Sequence, residues 1–188
     1  MKFKSDIDID FADRRQILSV IEHVPASINA RTAHNTGVYV TDIPRDPGTG
    51  RSAIDYRRAE DRGYIKLDFL NVNIYQQIQN EAHLIELMNR PPNWNKLYTE
   101  SFCKQLIHVG NHYDTLVRIP EPVNTIPRLA MFLAIIRPGK RHLIGQSWSE
   151  VAKTIWEEPE TGYYFKRAHA VSYAHLVVVH MNLLDLSN

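Results

Sequence analysis

The sequence contains very little cysteine: Cys103 is the single cysteine among its 188 residues. A disulfide bond within the chain is therefore excluded, and so is a cluster of thiolates that could hold a metal ion. The sequence also lacks an apolar run long enough to cross a membrane, and its first residues lack the apolar core of a secretion signal. We therefore expect a protein of the reducing cytoplasm that has no membrane partner.

Neither sign of charge dominates the chain. It has 22 Lys and Arg residues and 21 Asp and Glu residues, for a formal net charge of +1. This balance does not by itself indicate a polyanion-binding protein, although the cations can still gather on one face. Hydrophobic residues make up 44% and charged residues 23% of the chain, which are the proportions of a folded globular protein and exclude general disorder.

Apolar and polar residues alternate early in the chain and follow helical periods later. Strands are predicted over residues 4–11, 36–42 and 63–70. Helices are predicted over residues 12–24, 73–89, 97–108, 124–136, 147–157 and 168–185. Residues 44–52 have the composition of an exposed loop. The expected fold is α/β (α+β), with a small mixed sheet within residues 1–90 and a helical lobe over residues 91–188, or one compact domain.

Three aspartates recur at every second position of the first predicted strand, at Asp6, Asp8 and Asp10. On a strand they project from one face, with neighbours about 6.5 to 7 Å apart. Like charges this close are unfavourable without a cation, and paired Mg²⁺ or Mn²⁺ ions bound by carboxylate oxygens are the usual relief. A solvated acidic strand face is the alternative that the spacing leaves open. A calcium loop is excluded, because it needs Gly and Glu where the chain has Phe11 and Ile17.

A further aspartate, Asp68, lies among apolar residues of the predicted strand 63–70. An acid embedded in a core-like strand usually has a polar partner or a bound ion. Lys66 lies two residues earlier and shares the same strand face. Its ammonium group is predicted either to contact a phosphate or to form an ion pair.

Five segments of the chain resemble, in the same order, segments of one enzyme family. Residues 5–11 read Ser-Asp-Ile-Asp-Ile-Asp-Phe and resemble the P-D-x-D-x-D-F palm motif of C-family DNA polymerases, the alpha subunits of bacterial DNA polymerase III, with Ser in place of Pro. Residues 34–40 resemble the family's H-A-(A/G)-G-V-V-I segment, and residues 65–70 resemble the strand that carries its third catalytic aspartate. Residues 136–139 resemble its R-P-G turn, and residues 165–174 resemble F-N-K-S-H-(A/S)-A-A-Y-A of the fingers.

The resemblance implies a DNA-directed DNA polymerase, or a polymerase subunit, that performs two-metal nucleotidyl transfer in DNA replication. Its partners would be a DNA primer-template and deoxynucleoside triphosphates, and its cofactors would be two Mg²⁺ or Mn²⁺ ions. The catalytic and metal-binding residues implied are Asp6, Asp8 and Asp68, with Asp10 as a further metal ligand. The nucleotide-binding residues implied are Lys66, Arg167, His169 and Tyr173. The implied fold is a nucleotidyltransferase palm followed by a helical fingers-like lobe.

Other interpretations stay open for the basic and histidine residues. Arg137, Lys140 and Arg141 form a basic turn suited to DNA backbone phosphates, or a solvated loop. For the nucleotide-binding residues of the last predicted helix, the alternative is an ordinary amphipathic surface. His108 and His112 have the i, i+4 spacing of a zinc pair, but a glycine between them interrupts the helix and no Glu follows the first histidine, so a zinc metalloprotease is disfavoured.

The chain resembles the family over nearly its whole length but is a strongly reduced palm and fingers form, as expected of a compact phage-encoded enzyme. The family's Gly-Arg-Gly-Ser segment, which helps to hold the triphosphate, has no counterpart in it, so a second polymerase chain is expected to supply the missing part. One alternative is a non-catalytic module that binds DNA or complements a polymerase. A second is a metal-dependent nuclease, which leaves residues 165–174 without explanation. The expected location is the cytoplasm of a bacterium or a phage-infected cell.

Overall fold

The computed structural model describes residues 7–158 and 165–186 of the chain. The chain divides into two compact units, Met1–Ile78 and Gln79–Asn188. The first unit contains a small mixed sheet and the second is helical within the described residues. The α+β class expected from the sequence is therefore confirmed. No helix in the described part of the chain is both long and apolar enough to cross a membrane.

The first unit is built around a sheet that has the strand order β1-β4-β3-β2 within the described residues. Its strands are β1 (Ile7–Phe11), β2 (Val24–Ser27), β3 (Ala33–Tyr39) and β4 (Leu67–Asn71). β1 pairs with β4 in parallel, whereas β3 is antiparallel to both β4 and β2. The strands that carry the predicted aspartates are consequently neighbours.

Two helices accompany this sheet, α1 (Arg14–Leu18) and α2 (Tyr56–Asp61). Each begins at an aspartate, Asp13 or Asp55, whose carboxylate accepts a hydrogen bond from a main-chain N–H of the first turn. Such caps satisfy donors that the start of a helix leaves unpaired. The buried core of this unit consists of Val24, Ala26, Tyr39, Ile43 and Ala59.

The predicted helix over residues 12–24 is wrong in its second half. α1 ends at Leu18, and Val24 already begins a strand whose residues pair with β3. Pro25 lies in β2 at the edge of the sheet, where a residue without an N–H donor is tolerated. α2 was not predicted. Its one buried residue is Ala59, so its sequence has no repeat of apolar residues at helical spacing. Pairing between distant segments has overridden the local pattern.

The second unit is formed by helices of very different length. They are α3 (Glu81–Asn89), α4 (Glu100–Cys103), α5 (Tyr113–Leu116), α6 (Ile126–Ile135), α7 (Trp148–Thr154) and α8 (Arg167–Leu186). α6 is buried on nearly all sides and packs along α8, which also contacts α3. α6, α7 and α8 confirm the last three predicted helices. Short 3-10 helices of this unit occupy Trp94–Tyr98, Gly110–His112 and Pro138–Leu143, and the 3-10 helix Asn73–Gln77 belongs to the first unit.

Two of the predicted helices are broken. The helix expected over 73–89 consists of a 3-10 turn and then α3, because the Asn80 side chain accepts a hydrogen bond from His83 N and starts a new helix. The helix expected over 97–108 contains only α4, which ends at Cys103. Positive φ at His108, +62°, is incompatible with a right-handed helix.

A buried amide side chain joins α8 to the end of α3. Asn182 is 1% exposed, and its Nδ2 donates hydrogen bonds to Leu87 O at 2.8 Å and Arg90 O at 2.9 Å. Carbonyl groups in the last turn of a helix have no partner within that helix. Asn182 therefore supplies from α8 the donors that the end of α3 lacks.

We expect Asn182→Ala to lower the free energy of unfolding by about 2 kcal/mol, because one buried and one partly buried carbonyl lose their donor. Urea denaturation followed by circular dichroism measures this change. Asn89→Ala, at an exposed position of α3, is the matched control and should change stability by less than about 0.5 kcal/mol. Equal destabilisation by the two substitutions would contradict the assigned role of the Asn182 amide.

Candidate functional site

Two of the predicted catalytic aspartates lie side by side in the sheet. Asp8 of β1 and Asp68 of β4 are direct partners in the parallel register. Neighbouring strands are about 4.8 Å apart, and side chains of such partners project from the same face. Asp10 is paired with Leu70, two positions further along, and so belongs to the same face of β1 as Asp8. Asp6 lies outside the described residues.

The Asp68 carboxylate is almost completely surrounded by polar groups of the protein. It is 7% exposed. Its Oδ1 accepts a hydrogen bond of 2.6 Å from Thr36 Oγ1, and its Oδ2 forms an ion pair with Lys66 Nζ. The expectation that an acid in this strand has a partner is confirmed. The ion pair predicted as one alternative for Lys66 is present.

His34 completes this group as a neutral imidazole. Its Nδ1 lies 3.6 Å from Asp68 Oδ1, but the same nitrogen accepts hydrogen bonds from Gly37 N at 2.9 Å and Thr36 N at 3.3 Å. A nitrogen that accepts main-chain N–H groups carries no proton, so it cannot donate to the carboxylate. Burial of the ring, followed by the positive charge of Lys66, lowers the pKa of His34.

Gly37 allows these groups to approach one another. It is the antiparallel partner of Asp68. A Cβ atom at position 37 would lie 2.7 Å from Lys66 Cδ and 2.9 Å from His34 Nδ1. Any larger residue would therefore displace a side chain that contacts the carboxylate.

His34, Thr36 and Gly37 were not predicted as site residues. The signal was present, because all three belong to the segment 34–40 that resembles a polymerase segment. Their roles depend on the antiparallel pairing of β3 with β4, which periodicity does not reveal. Tyr56, the first residue of α2, also escaped prediction and lies edge-on to His34 with ring centroids 5.2 Å apart.

The donor atoms of the aspartate pair fit a hard divalent cation. Carboxylate oxygens are the ligands that Mg²⁺ and Mn²⁺ prefer. Each oxygen of Asp68 accepts one contact from the protein and keeps further acceptor capacity. Within residues 7–158 and 165–186, however, no three Asp, Glu, His or Cys side chains are grouped closely enough to hold a metal ion. Asp8 and Asp68 would thus need additional ligands.

The predicted nucleotide-binding residues of α8 contribute to a set of stacked rings in the second unit. The Tyr173 ring is stacked on the rings of His108, Phe165 and His169, at centroid distances of 4.5, 5.8 and 6.4 Å. Arg167 is placed differently, with its guanidinium carbon 6.0 Å from the centre of the Trp156 ring. His169 and Tyr173 are therefore brought together, whereas Arg167 stacks on a separate aromatic residue.

The cations of the predicted basic turn contact the protein itself. The Arg137 guanidinium carbon lies 4.7 Å from the centre of the Phe165 ring. Lys140 Nζ donates to Thr154 O at 2.7 Å, where its charge favours the carboxyl end of α7. Arg141 Nε donates to a main-chain carbonyl at 3.4 Å. Both structural and phosphate-binding roles are compatible with these contacts.

Comparison of the chain with protein-family models, curated proteins and solved structures gives no match. The assignment of a function therefore depends on two groups of residues. The first unit contains the cluster formed by Asp8, Asp68 and Lys66. The second unit contains the stacked rings around Tyr173 together with Arg137.

The charge environment of His34 predicts how its pKa responds to substitution. Lys66→Met removes a positive charge that opposes protonation, so the pKa of His34 should rise. Asp68→Asn removes a negative charge that favours protonation, so the pKa should fall. NMR titration of the imidazole Cε1–H signals measures both changes. His180, whose pKa is lowered by burial, is the internal control and should titrate unchanged, and a fall of the His34 pKa in Lys66→Met would refute the assignment.

Proposed function

We propose that this chain performs template-directed nucleotidyl transfer in DNA synthesis, alone or as a polymerase subunit. The observation that carries the proposal is the in-register pairing of Asp8 with Asp68 on adjacent parallel strands. This pairing supports the sequence resemblance, in which segments 5–11 and 65–70 supply the aspartates of one palm site. In the reaction a primer 3′-hydroxyl attacks the α-phosphate of a deoxynucleoside triphosphate, and pyrophosphate leaves.

Asp8 and Asp68 would hold two Mg²⁺ or Mn²⁺ ions, together with Asp6, which lies outside the described residues, and with Asp10 as a further ligand. Bound there, such ions supply Lewis-acid activation of the primer hydroxyl and neutralise charge on the triphosphate. The protein's own task is to hold the carboxylates in the correct orientation. Paired carboxylates repel each other, so this orientation requires partners in the protein.

Thr36 and Lys66 provide these partners at Asp68. The hydroxyl of Thr36 and the ammonium group of Lys66 each engage one carboxylate oxygen. Both contacts hold the plane of the carboxylate in place. Lys66 would also contact a phosphate of the incoming nucleotide, and burial together with the charge of Lys66 lowers the pKa of the neighbouring His34. We assign Thr36 and His34 as positioning residues.

In the second unit, the stacked rings of His169 and Tyr173 offer an aromatic surface suited to a base or sugar. Arg167 would contact a phosphate of the nucleotide, and the basic turn of Arg137, Lys140 and Arg141 would contact the DNA backbone. A second polymerase chain would supply the triphosphate-binding segment. The proposed site of action is the cytoplasm of a bacterium or a phage-infected cell.

A non-catalytic module that binds DNA or complements a polymerase is the second candidate. The ion pair favours it, because Lys66 already neutralises the buried Asp68 carboxylate without a metal ion. In this role the carboxylate and ammonium groups stabilise the sheet, and the cations of the second unit bind DNA. Catalytic activity separates the two candidates.

Primer extension on a labelled primer-template, with Mg²⁺ or Mn²⁺, tests the catalytic proposal. Asp8→Asn and Asp68→Asn should each lower the extension rate by at least about 100-fold, since each removes a charge that acts on the reacting phosphates. Asp42→Asn, at an exposed position of the same unit, is the matched control and should extend normally. An extension rate that is unchanged in both site variants would contradict the proposal.

Fluorescence anisotropy with the same DNA distinguishes the other outcomes. DNA binding without extension, unaffected by Asp8→Asn, would favour the non-catalytic module. Shortening of the labelled strand that depends on Asp8 and Asp68 would favour a metal-dependent nuclease. Both results would replace the polymerase proposal.

A further inference from the structure

The second unit contains a concave site of about 430 Å³. The proposed polymerase function gives no role to this site, although it assigns one of its residues, Arg137, to the DNA backbone. Its polar lining includes Lys104, His108, Asn111, His112 and Arg137. None of the described residues that line it is acidic. A site of this size accommodates a small molecule and is too small for a protein partner.

The loop that forms one wall of the site has a strained backbone. His108 is the one non-glycine residue with positive φ, +62°, in the described part of the chain. Val109 N donates to Ile107 O at 2.8 Å, which closes a γ-turn of the uncommon, strained kind. Backbone strain of this type costs of order 1 to 3 kcal/mol and concentrates at ligand-binding positions.

Contacts from α8 and α4 hold this loop in place. Ile107 N donates to the buried His180 Nδ1 at 3.1 Å, and the His108 ring stacks on Tyr173. Gly110 packs so closely that a Cβ atom there would lie 2.5 Å from Lys104 O. The wall is therefore shaped before any ligand arrives, which reduces the entropy cost of binding.

The charged group of the site that is not fully engaged is Arg137. Its Nε is buried and has no hydrogen-bond partner among the described residues. The guanidinium carbon lies 4.7 Å from the centre of the Phe165 ring, and Arg137 is one of the residues that line the site. A buried donor without a partner is costly, and an anion is the acceptor that best satisfies a guanidinium group.

Burial and a nearby cation favour the uncharged form of the two imidazoles of the site. Burial, and then the charge of Arg137, lowers the pKa of both His108 and His112. The charge of Arg141 further lowers the pKa of His112. Neutral imidazoles each retain one N–H donor, so they can hydrogen-bond to an anion without adding charge. Lys104 is paired with Glu100 at 2.6 Å and brings no surplus charge either.

We propose that this site binds a phosphoryl dianion, either inorganic phosphate or the phosphate group of a small phosphorylated molecule. Arg137 is the charged donor, and the N–H groups of His108 and His112 are the neutral donors. The binding goes beyond the proposed polymerase activity and does not depend on it, although DNA would compete for Arg137. The guanidinium group of Arg137 provides the planar, charged donor that phosphate recognition favours.

The test is a titration of the metal-free full chain with inorganic phosphate at constant ionic strength, followed by NMR. The imidazole Cε1–H signals of His108 and His112 and the amide of Gly110 should shift in a saturable way, whereas equivalent chloride should leave them in place. Arg137→Met should weaken phosphate binding roughly tenfold or more. Arg118→Met, at an exposed position of the same unit, is the matched control and should bind normally.

A second variant and a second ligand series complete the test. His112→Gln, which retains an N–H donor, should keep most of the affinity, whereas His112→Leu should lose it severalfold. A deoxynucleoside monophosphate that binds more tightly than phosphate, while its nucleoside does not bind, would identify a nucleotide as the source of the phosphoryl group.

Absence of saturable shifts, or equal loss in Arg137→Met and Arg118→Met, overturns the proposal. Binding of DNA without binding of phosphate or nucleotide overturns it as well. These readouts need no metal ion and no catalysis, so they fail or succeed separately from polymerase activity.

Discussion

Parallel pairing of β1 with β4 places the Asp8 and Asp68 carboxylates side by side, and much of the first unit compensates for that charge. Parallel neighbours require a crossover connection, and the intervening chain supplies it. The same connection contributes Thr36 to the buried carboxylate and Gly37 to the space that Lys66 needs. The acidic face is consequently supported by contacts from β3 that orient Asp68. Asp8 and Asp10 themselves are exposed on β1, which is an edge strand of the sheet.

In the second unit, α8 has a comparable organising role. Polar and aromatic residues along this helix contact two other segments. Tyr173 stacks on His108 and His180 accepts a hydrogen bond from Ile107 of the same loop, whereas Asn182 binds the end of α3. Buried polar groups are favourable only when they are paired, so these contacts specify one arrangement of the surrounding loops. The apolar contact between α6 and α8 supplies the hydrophobic burial that stabilises this arrangement.

Both candidate sites place neutral imidazoles beside a cation. His34 lies near Lys66, and His108 and His112 lie near Arg137, and in each case burial and the neighbouring charge lower the histidine pKa. A cation in a partly buried position keeps nearby histidines uncharged. A bound phosphate would partly neutralise the cation and make protonation of these rings easier. The two sites thus share an electrostatic environment that responds to anionic ligands.

Local patterns in the sequence determined several features correctly: the presence of strand β1, the acid within β4, and the helices α6 and α8. The burial of one face that alternation in β1 would predict is not found, because Ile7 and Ile9 are exposed. Residues a few positions apart encode such local features. Tertiary structure decided the strand at Val24, the left-handed turn at His108 and the grouping of His34 and Thr36 around Asp68. Each of these depends on pairing or close approach between residues distant in the chain. A single sequence does not state which distant residues meet, because many pairings satisfy the same local periodicity.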